Sequence, residues 1–325
     1  LDLLQIEQNA FNNALCYFNV KAGGETFKSF INAAKAAQGL EALIKGLYKA
    51  MFHYLVDRIN DLINSNNNKA KEQAAFIGVL DIFGFESFKV NSFEQLCINY
   101  CNEALQQQFN HFVFKNEQEE YEREGISWDC ISFPDNQDAL DLIDKKGFGI
   151  LSILDSTCQT SNGTDRIFGS EMYKKCMPQT RFKASHRQQG QQKFTMVHYA
   201  GPVEYCIAGF VEKNKDELPK EATDLLMSSK SEFVRELAVL LNPAANEVAS
   251  SRASRGRKKK CWSVGGQFSL QLAKLRGKID ATSPHYIRCL KPNDDLVPNI
   301  YEPGNIVGQL RCAGVIEAVR VSRVG

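Results

Sequence analysis

Apolar residues along this chain keep two different spacings. Leu40, Leu43, Ile44, Leu47, Tyr48, Met51, Phe52, Leu55, Val56 and Ile59 recur every three or four positions, which predicts a long amphipathic helix. A polar stretch, Asn60 to Asn68, follows as a loop. Phe76 to Leu80 is instead a short continuous apolar run, the pattern of a fully buried strand. Asn91-Ser92-Phe93-Glu94 then offers an N-cap, with Glu94 placed to close a capping box. From there to Glu124 neither proline nor glycine occurs, and Gly125 sits where a helix stops. Such a helix spans roughly 50 Å at 1.5 Å per residue. Phe93, Leu96, Cys97, Tyr100, Ala104, Leu105, Phe109 and Phe112 give it one apolar face. Only Ser87 to Val90 separates the loop after the strand from this rod, so a small movement in the loop is carried a long way.

Further on, Gln137 to Lys145 reads as helix. Phe194–Tyr199 and Val203–Tyr205 flank Ala200-Gly201-Pro202 as a hairpin. Lys220 to Leu241 reads as a helix ending at Asn242-Pro243, and Phe268 to Ile279 as a further amphipathic helix. Tyr286 to Leu290 reads as a short strand before Lys291-Pro292. No internal repeat is present. Helices dominate, so the fold class is a helix-rich α/β.

The apolar run ending at Leu80 is followed by Asp81, and three residues later by Gly84. A carboxylate at the tip of a buried strand is where P-loop nucleotidases place the acid that holds magnesium. A glycine beyond it lets a bare N–H approach a phosphate oxygen. The plainer alternative is a core strand with an exposed aspartate at its end.

The 325 residues are 43% hydrophobic and 24% charged, an ordinary globular balance for one large domain or two. No apolar run approaches the length of a membrane span, and no signal-like segment precedes the first helix. Ten cysteines lie singly with no CxxC pair, the usage of reduced cytosolic thiols. Asn162-Gly163-Thr164 matches a glycosylation acceptor and reads as a turn. His53, His111, His186, His198 and His285 are isolated, so none is given a catalytic role. The net charge of +1 selects no partner, but Arg252, Arg255, Arg257, Lys258, Lys259 and Lys260 fall within nine residues. A flexible basic linker of this kind steers an acidic partner. Nucleic acid fits the charge equally, but no aromatic residue is interleaved for base stacking.

DIFGFESFKVNSFEQLCINYCNEALQQQFNHFVFKNEQEEYEREGISW resembles switch II and the relay helix of a myosin motor. The likeness continues through DNQDALDLID, GILSILD, NGTD, HYAGPVEY, GFVEKNKDELP, SPHYIRCLKPND and QLRCAGVIEAVRVSRVG, in the family's order from about Leu40 to Gly325. It implies part of a P-loop NTPase motor of the myosin and kinesin kind, with a central mixed sheet and long helices. Residues 1–75 correspond to the end of the upper 50K region, 76–128 to switch II and the relay helix, and 129–241 to the lower 50K region. Residues 242–260 correspond to loop 2, and 261–325 to a sheet strand and the reactive-thiol helix. The implied function is an actin-based, ATP-driven cytoskeletal motor of the cytoplasm, using ATP and Mg2+ and moving on F-actin. Light chains or calmodulin would bind through a neck outside this sequence, and neither nucleic acid nor a membrane span is expected. An actin-binding protein of this fold without ATPase activity is the alternative. A basic-loop nucleic-acid binder is a more distant one.

The resemblance also assigns residues. Asp81, Ile82, Phe83, Gly84, Phe85 and Glu86 face the nucleotide. Asp81 approaches Mg2+ through water, the Gly84 amide meets the γ-phosphate, and Glu86 pairs with an arginine of switch I to help position the attacking water. Glu25, sixteen residues before Glu41, falls on an actin-facing loop. The actin surface further takes in Asn162, Gly163, Thr164, Asp165 and the six basic residues of 252–260. It also includes Leu272, Lys274, Leu275, Lys278, Pro284, His285, Arg288, Lys291, Pro292, Asn293 and Asp294. Trp128 lies in the relay loop, while Cys312, Gly314 and Gly325 belong to the reactive-thiol helix and its swivels. Ser322 stands where many muscle myosins have a second thiol, which implies a divergent, non-muscle class. No GxxxxGK[ST] and no switch I sequence occur. The expectation is that these 325 residues alone neither bind ATP tightly nor hydrolyse it, and fold poorly without the strand that carries the phosphate loop.

Overall fold

A computed structural model describes residues 1–22, 25–64, 76–125, 135–215, 220–241, 263–316 and 319. The chain divides into two compact units, Leu1–Val79 with Glu217–Lys260, and Leu80–Asp216 with Cys261–Gly325.

The first unit joins helix Gln8–Cys16 to an antiparallel hairpin, Tyr17–Ala22 with Glu25–Phe30, paired from Tyr17↔Phe30 to Ala22↔Glu25. Helix Ala33–Asn64 follows, longer at both ends than its apolar pattern predicts. Leu43 from this helix packs with Ile6, Ala222, Leu225, Leu226, Val234 and Ala238 in a small core. The rest of its apolar stripe is not covered by this unit, and Ile44, Tyr48, Phe52 and Leu55 are each more than half exposed. The expected single helix from Lys220 to Leu241 is two, Lys220–Met227 and Glu232–Leu241. Serines cause the break. Ser228 Oγ donates to Leu225 O at 2.7 Å, Ser229 Oγ to Leu4 O at 2.6 Å, and Ser231 N–H to Ser229 Oγ at 3.0 Å. These bonds offer the backbone an alternative to the helical ladder.

The second unit is built round helix Phe93–Arg123 and a three-stranded antiparallel sheet of Phe182–Lys183, Lys193–His198 and Gly201–Cys206. Phe194, Met196 and His198 point inward at alternate positions of the middle strand, as the period of a half-buried strand requires. Phe182, Phe194 and Tyr205 stack across the three strands at 5.4 and 5.3 Å between rings, and Phe168 stacks on Phe210 at 5.8 Å. Helices Gln137–Asp144, Ile150–Cys158, Asp165–Cys176 and Phe210–Asn214 close the core, with Val264–Asp280 packed alongside. Helix Pro303–Cys312 completes the unit.

Several expectations are corrected here. Phe76 to Leu80 is not a buried strand. It is irregular, with Ile77 98% and Val79 93% exposed. Tyr286 to Leu290 is likewise irregular, and Ile287 is exposed. A strand exists only when a neighbour takes up its N–H and C=O groups. The two sheets among the described residues are small and antiparallel, and neither includes these segments, so no central mixed sheet is present among those residues. The long helix starts one residue later than expected, with Ser92 as N-cap. Gln95 rather than Glu94 closes the capping box, its Oε1 accepting the Ser92 N–H at 2.9 Å. Glu94 instead pairs with Lys213 Nζ at 2.8 Å. Nor is the helix apolar on its buried side throughout. Asn99, Glu103, Gln106, Gln107, Gln108 and Asn110 are buried beside Leu96, Tyr100 and Ala104.

Candidate functional site

Asp81 to Gly84 form an exposed loop with no helical or strand hydrogen bonding. A Cβ added at Gly84 meets nothing within 4 Å among the described residues. The loop is tied down by side-chain amides at Gln95, Asn99 and Asn102, four and three residues apart and so on one face of the long helix. Asn102 Nδ2 donates to Phe83 O at 3.0 Å. Asn99 grips both backbone groups of Glu86, accepting its N–H at 2.8 Å and donating to its carbonyl at 2.7 Å. Gln95 Nε2 donates to the Glu86 carboxylate at 3.2 Å. Beyond Glu86, Asn91 closes the turn by accepting from Phe88 N–H at 2.8 Å and donating to Phe88 O and Glu204 O.

Behind the loop lies a buried polar chain. Asn99 Nδ2 donates to Tyr205 Oη at 2.8 Å, and Tyr205 Oη lies 2.8 Å from His198 Nε2. His198 Nδ1 lies 2.9 Å from Glu103 Oε2, with both side chains wholly buried. Asn136 Nδ2 donates to the other Glu103 oxygen at 2.8 Å. Phe85 covers this chain, its ring edge-on to His198 at 5.3 Å and to Tyr199 at 5.6 Å. Burial pushes the Tyr199 and Tyr205 phenols well above their ordinary value, with the Glu103 charge adding to the effect in each. On the same helix, burial pushes the Cys97 thiol up to about 12.

The far side of the chain reaches the end of helix Pro303–Cys312. Three successive carbonyls there are each met by a donor from a different element. Tyr199 Oη donates to Cys312 O at 2.6 Å, Arg288 Nε to Ala313 O at 3.1 Å, and Gln106 Nε2 to Gly314 O at 3.4 Å. The Arg288 guanidinium also lies over the rings of Phe109 and Tyr286, at 5.2 and 5.6 Å, and its charge suits a helix C-terminus. Gly314 takes φ +67°, the left-handed conformation that ends the helix. Cys312 is therefore the last residue of one helix, ahead of Gly314. Burial raises its thiol.

Other expected site residues are scattered. Thr164 Oγ1 accepts the Ile167 N–H as N-cap of helix Asp165–Cys176. Asp165 turns inward, its carboxylate accepting from Gly209 N at 2.7 Å and Val211 N at 2.9 Å. Gly163 passes so close to Thr157 O that a Cβ there would overlap it, while Asn162 is exposed. Leu272, expected on an outer face, is buried in the core instead, because it lies on the packed side of helix Val264–Asp280. Asn293 is also buried rather than outward. Its amide donates to Val297 O and Ile300 O and accepts from Val297 N, organising its own loop. Lys274, Lys278, His285, Lys291, Pro292 and Asp294 are exposed, and Leu275 and Pro284 half-buried. Glu25 pairs with Ala22 in the first hairpin. Trp128, Arg252, Arg255, Arg257, Lys258, Lys259, Lys260 and Gly325 lie outside the described residues.

The chain from Asn99 to Glu103 was not found from sequence spacing, since His198 stands 95 positions from its carboxylate partner. The available signal was a polar row, Asn99, Glu103 and Gln106, at helical spacing beside the apolar one.

With this geometry in place, comparison with known proteins identifies the class. A family model described as the myosin head (motor domain) matches residues 1–325, so the chain belongs to the myosin head family. Among similar proteins, Myosin-14 from Arabidopsis thaliana is 42% identical over 324 residues, covering 100% of this chain and 20% of that protein. Myosin-9 from the same plant is 43% identical, again over 100% of this chain and 20% of the relative. Myosin-7 is 44% identical over 100% of this chain and 18% of its own length. The chain thus spans about a fifth of the length of these relatives.

Proposed function

We propose that this chain is part of an actin-based, ATP-driven motor, in which Asp81 to Glu86 sense the nucleotide and the Phe93–Arg123 helix carries the response away. The observation behind this is that a chain matched along its whole length by the myosin head family presents a loop from Asp81 to Glu86, exposed as far as Gly84, that is tied to a 31-residue helix by three side-chain amides. The loop suits a phosphate, since its backbone is outside any ladder and no side chain at Gly84 screens it. Among the described residues no group of three or more His, Cys, Asp or Glu is arranged to hold a metal. By the family resemblance Asp81 would reach Mg2+ through water, with the remaining donors from elsewhere, and the ion when bound would neutralise phosphate charge. Glu86 keeps one carboxylate oxygen beyond its Gln95 contact for an arginine partner.

Partners follow from charge. Exposed Lys274, Lys278 and Lys291 and the basic run at 252–260 suit the acidic surface of F-actin. No described helix is long and apolar enough to cross a membrane. The working place is the cytoplasmic actin cytoskeleton, with light chains or calmodulin on a neck outside this sequence.

Co-sedimentation with F-actin over rising salt tests the partner. Binding should weaken with salt, and changing the six basic residues to glutamine should flatten that slope. Binding indifferent to both overturns the assignment. Phosphate release by a polypeptide joining these residues to a phosphate loop tests the loop. Gly84→Ala has space for its methyl group, so a folded variant with reduced actin-stimulated turnover supports the role. Turnover equal to the parent's refutes it. Actin binding with no turnover in the parent leaves an actin-binding protein of this fold.

A further inference from the structure

Two backbone donors fix the direction of the buried polar chain. The Glu86 N–H can only donate, so the Asn99 atom facing it at 2.8 Å is Oδ1. Nδ2 must then serve the Glu86 carbonyl and Tyr205 Oη, at 2.7 and 2.8 Å. With its oxygen accepting from Asn99, Tyr205 has its O–H free to donate to His198 Nε2 at 2.8 Å. At the other end the Tyr199 N–H points at Glu103 Oε2 at 3.3 Å, which makes that oxygen an acceptor for His198 Nδ1–H as well. Every member is satisfied in one polarity: Asn99 to Tyr205, Tyr205 to His198, His198 to Glu103.

The reverse polarity fails at a definite point. If His198 Nε2 carried the proton, Tyr205 Oη would accept from it, and the Tyr205 O–H would need an acceptor in Asn99. Turning the Asn99 amide to supply one would set its NH2 against the Glu86 N–H, donor against donor. Asn99, Glu103, His198 and Tyr205 are all buried, so no bulk water relieves the mismatch.

We infer that Asn99 is a positioning residue for Glu86, and that the facing of its amide is set by the hydrogen-bond chain through Tyr205 and His198 to Glu103. The grip on Glu86 is thereby read out one helical turn along, where Glu103 sits. This deepens the proposed role of Glu86 and rests on it for what that carboxylate does. The readouts below need neither ATP nor actin, so a failed ATPase assay would sink that reading and leave this one standing.

The test uses the full chain with Asn99→Asp, Tyr205→Phe and both together. Exchange of the Glu86 amide and the 15N resonances of His198 are measured, with amides of helix Asp165–Cys176 as the control. The carboxylate introduced by Asn99→Asp repels the Glu86 carbonyl and accepts the Tyr205 O–H, so Glu86 should exchange about tenfold faster. The His198 Nε2 resonance should move into the protonated range. Tyr205→Phe should speed Glu86 exchange about threefold. The double variant should match Asn99→Asp at Glu86 and Tyr205→Phe at His198, since the transmitting hydroxyl is gone. Control amides should not change, whereas a merely structural role would speed them equally. An Asn99→Asp protein with an unchanged His198 spectrum overturns the inference, as does unaltered Glu86 exchange in Tyr205→Phe. If Asn99→Asp does not fold, Tyr205→Phe, which removes one oxygen, decides the matter alone.

Discussion

Gly314 and Gly125 make a matched pair for measuring what holds the end of helix Pro303–Cys312. Both take the left-handed conformation, at φ +67° and +69°, so alanine pays the same backbone penalty at each, about 1–2 kcal/mol. Around Gly125 a methyl group meets nothing within 4 Å among the described residues, whereas at Gly314 it overlaps the Gln106 carboxamide. Gln106 is buried, and moving it breaks its bonds to Asn110 Oδ1 at 2.9 Å and Gly314 O at 3.4 Å. At about 1 kcal/mol for each bond, Gly314→Ala should cost about 3–4 kcal/mol and Gly125→Ala about 1–2. In a Gln106→Ala background the Gly314 cost should fall to that of Gly125. Equilibrium urea unfolding, compared at constant slope, measures the parent and all four variants, and the double-mutant cycle isolates the steric contribution. Equal costs at the two glycines, or no relief from Gln106→Ala, would show that the Gln106 contact does not hold this segment.

Other outcomes follow from the same geometry. Burial raises the Cys312 thiol, so its alkylation should reach half-maximal rate at a higher pH than a free cysteine, whose pKa is about 8.5; a midpoint at or below that value contradicts the burial. Asp165→Ala removes the acceptor of the Gly209 and Val211 N–H groups and should cost about 2–3 kcal/mol in urea unfolding, since bonds to a charged group contribute more than neutral ones. If Asp165 instead serves only the surface, its removal should be silent in that assay. Lys145 and Gln137 hold the Asp141 carboxyl below its ordinary 3.8. The stability it adds is therefore present above that range and lost as pH falls through the folded value. Asp141→Asn should lower Tm at pH 7 and lower it less as the pH falls below 3.8; an effect that does not shrink with falling pH would rule the pairing out.

What the residue pattern could predict was set by how local the cause is. The Phe93–Arg123 helix, its stop at Gly125 and the Lys193–Cys206 hairpin depend on neighbours in sequence, and all were legible. Phe76 to Leu80 and Tyr286 to Leu290 carry strand-like composition, but a strand is a relation between two segments, and composition does not supply the second. The break at Ser228 to Ser231 was hidden because serine is helix-compatible until its hydroxyl finds a carbonyl, here Leu4 O from the far end of the chain. Leu272 and Asn293 matched surface positions by motif, yet packing and loop closure turned both inward. At the candidate site, Asp81 and Gly84 stood out by residue type and spacing, and Glu86 by the resemblance. The groups that hold Glu86 did not, because Tyr205 lies 106 positions from Asn99.

The way Asn99 holds Glu86 sets an energy scale for the loop. A neighbouring strand would bind this backbone through a ladder, and freeing it would mean unzipping several bonds in concert. One side chain supplies both bonds at Glu86 instead, so that residue's backbone is released by one rotamer change, while Asn102 and Gln95 each add a single bond beside it. Gln309 repeats the arrangement at Lys291, donating to its carbonyl and accepting from its N–H at 2.8 Å each. Two net hydrogen bonds are worth about 1–3 kcal/mol, well below the roughly 5.5 kcal/mol needed to swing a population from 1:99 to 99:1. A residue held this lightly stays within reach of thermal energy, and an anion offering a few competing bonds can decide where it rests.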